Sequence, residues 1–183
     1  MAPQFTPRID ETRPFKPVHI AVMTVSDSRT IDNDTSGQAL VDLIARDGHV
    51  LKARTIVKDE RPAIVAQVKS WIADPEVDVV ISTGGTGVTG RDVTPEAFES
   101  LFEKRIEGFG EMFRWLSYEK IGTSTMQSRA TGGVANATYL FALPGSPSAA
   151  RDGWEQILRW QLDNRLRPCN LAELMPRLNE HLR

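Results

Sequence analysis

Three stretches of this chain are apolar with almost no alternation, and they constrain its fold more than any other feature. Residues 18–25 (VHIAVMTV), 77–83 (VDVVIST) and 139–143 (YLFAL) are of strand length, and each is stopped by small or polar residues. A strand with one wet face alternates apolar and polar side chains; a near-continuous run belongs to a strand covered on both faces. Helical stripes fill the intervals. Asp34-Thr35-Ser36 caps a pattern carried by Leu40, Leu43 and Ile44 as far as Gly48. Pro62 opens a second, carried by Ile64, Val65, Val68, Trp71 and Ile72, and Thr94-Pro95-Glu96 opens a third. A further strand is read at 49–57 and a short extended piece around 123–127. Helical patterns run through Leu101, Phe102, Phe113 and Leu116, with a break at Gly108 and Gly110, and a last one through Trp154, Ile157 and Leu158. The alternation predicts an α/β fold, a three-layer α/β/α sandwich around a mostly parallel sheet.

The sandwich is expected over residues 18–166, between a flexible, proline-broken N-terminal arm at 1–17 and a C-terminal tail at 167–183. A chain of 183 residues fits one domain and buries roughly 70% of its unfolded surface, so it needs no disulfide or structural metal. With 22 Lys and Arg against 24 Asp and Glu, its net charge of -2 argues against a general nucleic-acid binder. Cys169 is the one cysteine, so no disulfide forms within the chain and a cytoplasmic setting is expected. The arm carries no apolar signal segment, and no apolar run is long enough for a membrane span, so no membrane partner is expected.

In a doubly covered parallel sheet, ligands sit beyond the carboxyl ends of the strands. Three such ends carry unusual loops: Ser26-Asp27-Ser28, residues 83–92, and Pro144-Gly145-Ser146. The string 82–96 (STGGTGVTGRDVTPE) is the most informative. Gly84, Gly85 and Gly87 free the backbone to turn N–H groups toward an anion, and Thr83 and Thr86 add hydroxyls, so the whole reads as a phosphate cradle. A glycine pair alone would read as an ordinary turn. The string is not a Walker A loop, because Arg91-Asp92 follows Gly90 where Lys and Ser or Thr are needed. Gly85, Gly87 and Gly90 match the dinucleotide spacing G-x-G-x-x-G. The helix begins only near Pro95, however, and no strand-end acid follows about 20 residues on, which makes nicotinamide binding the weaker alternative.

Asp59 and Asp92, on neighbouring strand ends, are candidates to hold the Mg²⁺ of a nucleoside triphosphate, or else simple turn caps. Ser146 would cap a helix starting at Pro147, with free N–H groups toward a ligand. Glu111 and Arg129 are further polar candidates. The histidines are scattered without ligand spacing, and no Gly-x-Ser-x-Gly elbow supports a serine hydrolase.

Several ordered motifs accompany the glycine string: Thr24-Val-Ser-Asp27, Asp34-Thr-Ser-Gly37, Val57-Lys-Asp-Glu60, Glu107-Gly-Phe-Gly-Glu111, Ser128-Arg129, Leu143-Pro-Gly-Ser146 and Arg167-Pro-Cys-Asn170. With them, the chain resembles the molybdenum cofactor biosynthesis family of MoaB and MogA type, shared with the G domains of gephyrin-like proteins. The likeness runs roughly from His19 to Asn170. It implies a molybdopterin-binding α/β/α domain. For catalytic members it implies ATP- and Mg²⁺-dependent transfer of AMP to the terminal phosphate of molybdopterin, with release of pyrophosphate. The family's two catalytic aspartates match Asp59 and Asp92, which would also hold Mg²⁺. The resemblance implies nucleotide and phosphate binding by Ser26, Asp27, Thr83, Gly84, Gly85, Thr86 and Gly87. It implies molybdopterin binding by Glu111, Ser128, Arg129, Pro144, Gly145 and Ser146, and a homo-oligomer, trimer or hexamer. A non-catalytic molybdopterin-binding scaffold of the same pathway is the alternative it leaves open.

Overall fold

In the computed structural model, which describes residues 6–182, the apolar runs become the middle of a six-stranded sheet. Its order is β3 (Val50–Val57), β2 (His19–Val25), β4 (Val79–Thr83), β7 (Thr138–Leu143), β6 (Thr131–Ala135) and β5 (Lys104–Arg105). The first four run parallel, and β6 and β5 extend one edge antiparallel to their neighbours. Successive strand residues serve opposite faces. Ile20, Val22, Ile81, Phe141 and Leu143 pack toward α1 (Thr35–Arg46), α4 (Glu107–Ile121) and α5 (Pro147–Gly153). Ala21, Met23, Val80, Leu140 and Ala142 pack toward α2 (Arg61–Ile72) and α3 (Thr94–Glu99). Two cores on one sheet make the predicted three layers. Beyond α5 the chain passes through a π turn, Trp154–Leu158, into α6 (Arg159–Gln161).

Some local expectations differ from the structure. Residues 123–127 are not extended but belong to a 3-10 turn, Gly122–Gln127, in which the Thr125 hydroxyl donates to the Arg114 carbonyl of α4 at 3.1 Å. The extended chain comes afterwards as β6, and it returns into β7 through Asn136 and Ala137, both at positive φ (46° and 63°). Gly108 and Gly110 do not break a helix; they lie in the first turn of α4, which the burial of Phe109 and Phe113 carries through them.

The arm differs as well. Residues 1–5 lie outside the described residues, as does 183 of the tail, but from Arg8 onward the arm is tied down. Arg8–Ile9 (β1) pairs antiparallel with Leu166–Arg167 (β8), Asp10 accepts from Arg167 at 2.9 Å, Arg13 pairs with Glu173, and Phe15 packs against the His49 ring. A two-residue ribbon is marginal by itself. These side-chain ties, and the packing of Leu171, Met175 and Leu178 against the main core, hold arm and tail in place. Among the described residues no helix is long and apolar enough to cross a membrane.

Candidate active site

At the end of β4 the chain turns through Gly84 (φ 104°) and Gly85 (φ 65°). A Cβ on Gly84 would lie 2.3 Å from the Val25 carbonyl oxygen, and one on Gly85 2.3 Å from Thr94 Oγ1. Both the backbone angle and the space therefore demand glycine. The turn is laced to its surroundings. Gly84 N–H donates to the Leu143 carbonyl at 3.0 Å and Thr83 Oγ1 to the Pro144 carbonyl at 2.9 Å. Thr94 Oγ1 donates to the Gly84 carbonyl at 2.9 Å and Thr94 N–H to the Gly85 carbonyl at 3.0 Å. These bonds fasten the ends of β4 and β7 to the start of α3.

Arg129 adds a clamp. Its guanidinium donates to the carbonyls of Gly87 and Asp92, both at 2.7 Å, and pairs with Glu96, while its N–H donates to the Thr86 carbonyl at 3.1 Å. The planar fork of arginine suits such a spread of acceptors. The Asp92 carboxylate accepts from Thr89 N–H at 2.9 Å and Thr89 Oγ1 at 2.6 Å. Partial burial opposes its ionisation, but the bonds from Thr89 and from the Gly87 N–H outweigh burial and hold its pKa below the ordinary carboxylate value. Asp59 stands beside the turn, its Oδ1 3.1 Å from where a Gly85 Cβ would be. Partial burial raises its pKa, and the negative charges of Asp27 and Asp92 push the same way. Asp27 is held low by its 2.6 Å ion pair with Arg91.

Between this loop and the helices opens a cavity of about 620 Å³. Gly85, Thr86, Gly87, Asp92 and Ser128 line one side, joined by Pro144, Gly145 and Ser146. The other side is built by Phe113, Ser117, Lys120 and Ile121 of α4 with Ser148 and Asp152 of α5. The Ser128 hydroxyl is buried and has no hydrogen-bond partner among the described residues, and such a group is a natural receptor for a polar ligand atom. Ser146 caps the following helix as predicted, accepting from Ala149 N–H at 3.1 Å.

The structure therefore gathers most of the residues singled out in the sequence, but not all. Ser26 uses its hydroxyl to accept from the N–H groups of Ser28 and Arg29, at 3.2 Å each, and with Asp27 it lines a separate depression of about 490 Å³. The Thr83 hydroxyl is turned to Pro144, and the Gly84 N–H is already taken by Leu143. Arg129 holds the loop from behind and does not line the cavity. Glu111 is exposed on α4, also away from its lining, and Asp59 is not a lining residue either. Asp59 follows β3, which β2 separates from β4, so Asp59 and Asp92 are not on neighbouring strand ends as expected. The motif 34–37 is scaffold: the wholly buried Asp34 carboxylate accepts from Thr24 Oγ1 at 2.7 Å, Gly37 N–H at 2.9 Å and Arg54 at 3.0 Å. The α4 wall was not anticipated. Its signal was there in the spacing of Phe113, Ser117, Lys120 and Ile121, which fall at i, i+4, i+7 and i+8 on one helical face.

Comparison with known proteins agrees with this architecture. The family model described as "Probable molybdopterin binding domain" matches residues 21–164. Molybdenum cofactor biosynthesis protein B of Escherichia coli (strain K12) is 54% identical over 156 residues, which covers 85% of this chain and 92% of that protein. A crystal structure of a molybdenum cofactor biosynthesis protein B matches with a TM-score of 0.83 at 38% identity, covering 92% of this chain and 99% of the other. The tungsten cofactor synthesizing protein MoaB from Pyrococcus furiosus matches with a TM-score of 0.70 at 36% identity, covering 78% and 91%.

Proposed function

This chain belongs to the MoaB/MogA family of molybdopterin-binding domains, and from that premise we propose that it adenylylates molybdopterin, using ATP, as a cytoplasmic step of molybdenum cofactor biosynthesis. The observation that carries this reading is the convergence on one cavity of a pinned glycine loop, the Asp92 carboxylate and the buried, unpartnered Ser128 hydroxyl.

In the proposed reaction an oxygen of the molybdopterin phosphate attacks the α-phosphorus of ATP. The new P–O bond forms as the bond from that phosphorus to the bridging oxygen breaks, and pyrophosphate leaves with the electron pair. The attacking group is already an anion, so neither a general base nor an enzyme nucleophile is required. The task left to the protein is to hold two anions in line and offset their charge. We assign the N–H groups of Gly85 and Thr86 to phosphate, since those of Gly84 and Gly87 serve Leu143 and Asp92. A loop fixed before the ligand arrives costs no reorganisation as charge develops. Ser128 is assigned to a polar atom of the pterin.

Asp59 and Asp92 suit Mg²⁺, which takes carboxylate oxygens and fills its remaining positions with phosphate and water. Like-charge crowding around Asp59 is what a cation there would relieve. Held by these carboxylates, Mg²⁺ would offset the charge of the triphosphate. The trimer or hexamer expected for the family has a surface available: Met112, Trp115, Tyr118, Ile121 and Met126 are large apolar side chains left exposed along α4 and the turn after it.

The test is pyrophosphate release from ATP and Mg²⁺, with and without molybdopterin, beside Asp92→Asn. The expected result is molybdopterin-dependent release that falls on the order of 10³-fold in a variant with unchanged folding. Tight molybdopterin binding without release from the wild type would make the protein a binding scaffold instead.

A further inference from the structure

A cavity that receives phosphate needs positive charge, and most of the cations around the glycine loop are committed elsewhere. Arg129 is occupied by the carbonyls of Gly87 and Asp92 and by Glu96, and Arg91 by Asp27. Among the described residues that line the cavity, Lys120 carries the only positive charge, against the carboxylates of Asp92 and Asp152. Lys120 Nζ lies 2.5 Å from Asp152 Oδ1, and both side chains face the cavity.

Three properties make this pair an exchangeable one. Asp152 has a second donor, Gln156 Nε2 at 3.3 Å, so it keeps a partner if the lysine departs. The Lys120 side chain is 55% exposed, and an ion pair so open to water is weak and screened. An ammonium has three N–H donors on a flexible four-carbon stem, and it meets phosphate as a mobile point charge. A doubly charged phosphate outcompetes a single carboxylate for it.

We propose that Lys120 is the phosphate-binding residue of the helical wall, parked on Asp152 in the ligand-free protein and passed to a phosphate oxygen when ligand enters. The hydroxyls of Ser146, beside the glycine loop, and Ser148, on the helical wall, lie 3.2 Å apart on the same cavity and complete the donor set. The proposal rests on the adenylylation reading only in taking the ligand to carry phosphate. That phosphate belongs either to molybdopterin or to ATP.

Dissociation constants of molybdopterin, dephospho-molybdopterin and ATP with Mg²⁺, each measured alone by fluorescence titration at low and high salt, separate the outcomes. Lys120→Gln should weaken one phosphate ligand about tenfold at low salt, flatten its salt dependence and leave dephospho-molybdopterin unchanged. Whichever of molybdopterin and ATP is weakened names the source of the phosphate. Asp152→Asn, which releases the lysine, should tighten that ligand or leave it unchanged. A loss in Asp152→Asn equal to that in Lys120→Gln, or an equal loss for dephospho-molybdopterin, would show a merely structural pair and overturn the proposal. Wild-type affinity for both phosphate ligands in Lys120→Gln would overturn it while the adenylylation reading stands. A wild-type protein that binds none of the three ligands would overturn that reading, and the proposal with it.

Discussion

The two walls of the cavity are held by different means. The glycine-loop wall is fastened at Thr83, Gly84, Gly85, Gly87 and Asp92 by neighbouring backbone, by Thr94 and by the Arg129 clamp. The helical wall presents Ser117, Lys120 and Asp152, and its charged pair is a partly exposed contact between two helices. The comparison separates what must be in place before a ligand arrives from what can adjust to it. Backbone donors aimed at phosphate work only if their geometry is fixed, whereas a lysine reaches its partner by rotating its own stem. Changes on the first wall should therefore damage folding and function together, and changes on the second should touch affinity alone.

Gly84→Ala should have the largest effect, because it forces a non-glycine residue to φ 104° and drives its Cβ against the Val25 carbonyl. Urea unfolding should show a loss of about 3 kcal/mol, with turnover lost as well. Arg129→Ala should come next, at about 2 kcal/mol by the same measurement, since it strips two loop carbonyls and Glu96 of their donor. Turnover should fall more steeply than substrate affinity in that variant. Retention of full activity would remove the rigid-wall half of the comparison.

The scaffold behind the loop should show itself in acid. Burial alone would raise the Asp34 pKa, but Thr24, the Gly37 N–H and Arg54 outweigh it and hold the native carboxyl below its ordinary value. The native state then binds this proton less readily than the unfolded chain, so its contribution is complete above about pH 3.9 and is lost as pH falls through the lower native pKa. Asp34→Asn should flatten that acid limb of the stability curve. The smallest effect is expected on the other wall, where Lys120→Gln should move stability by no more than about 0.5 kcal/mol.

Much of the fold was readable because doubly buried strands leave a continuous apolar signature, and 18–25, 77–83 and 139–143 carry it without interruption. Strand β6 was hidden, since Gly132 and Gly133 depress the strand signal; the Phe102 ring fills the space where a Gly133 side chain would stand, its Cγ 2.4 Å from the Cβ position. The lining of the candidate site was readable where its residues sit at strand ends, as at Gly85, Thr86, Gly87, Asp92 and Ser146. It was not readable where direction decides. Nothing in the composition of a loop tells that Thr83 turns to Pro144, that Ser26 closes its own turn, or that Arg129 grips the loop from behind. The helical wall was missed for a related reason: a serine or lysine on a helix reads as solvated surface until another helix is packed beside it.

Transfer of label from ATP carrying a marked α-phosphorus is the most direct measurement, with Mg²⁺ and molybdopterin present and Asp92→Asn as control. The account predicts label on the pterin and pyrophosphate released in equal amount, both absent with the variant. Molybdopterin tightly bound while all of the label stays in ATP would contradict it.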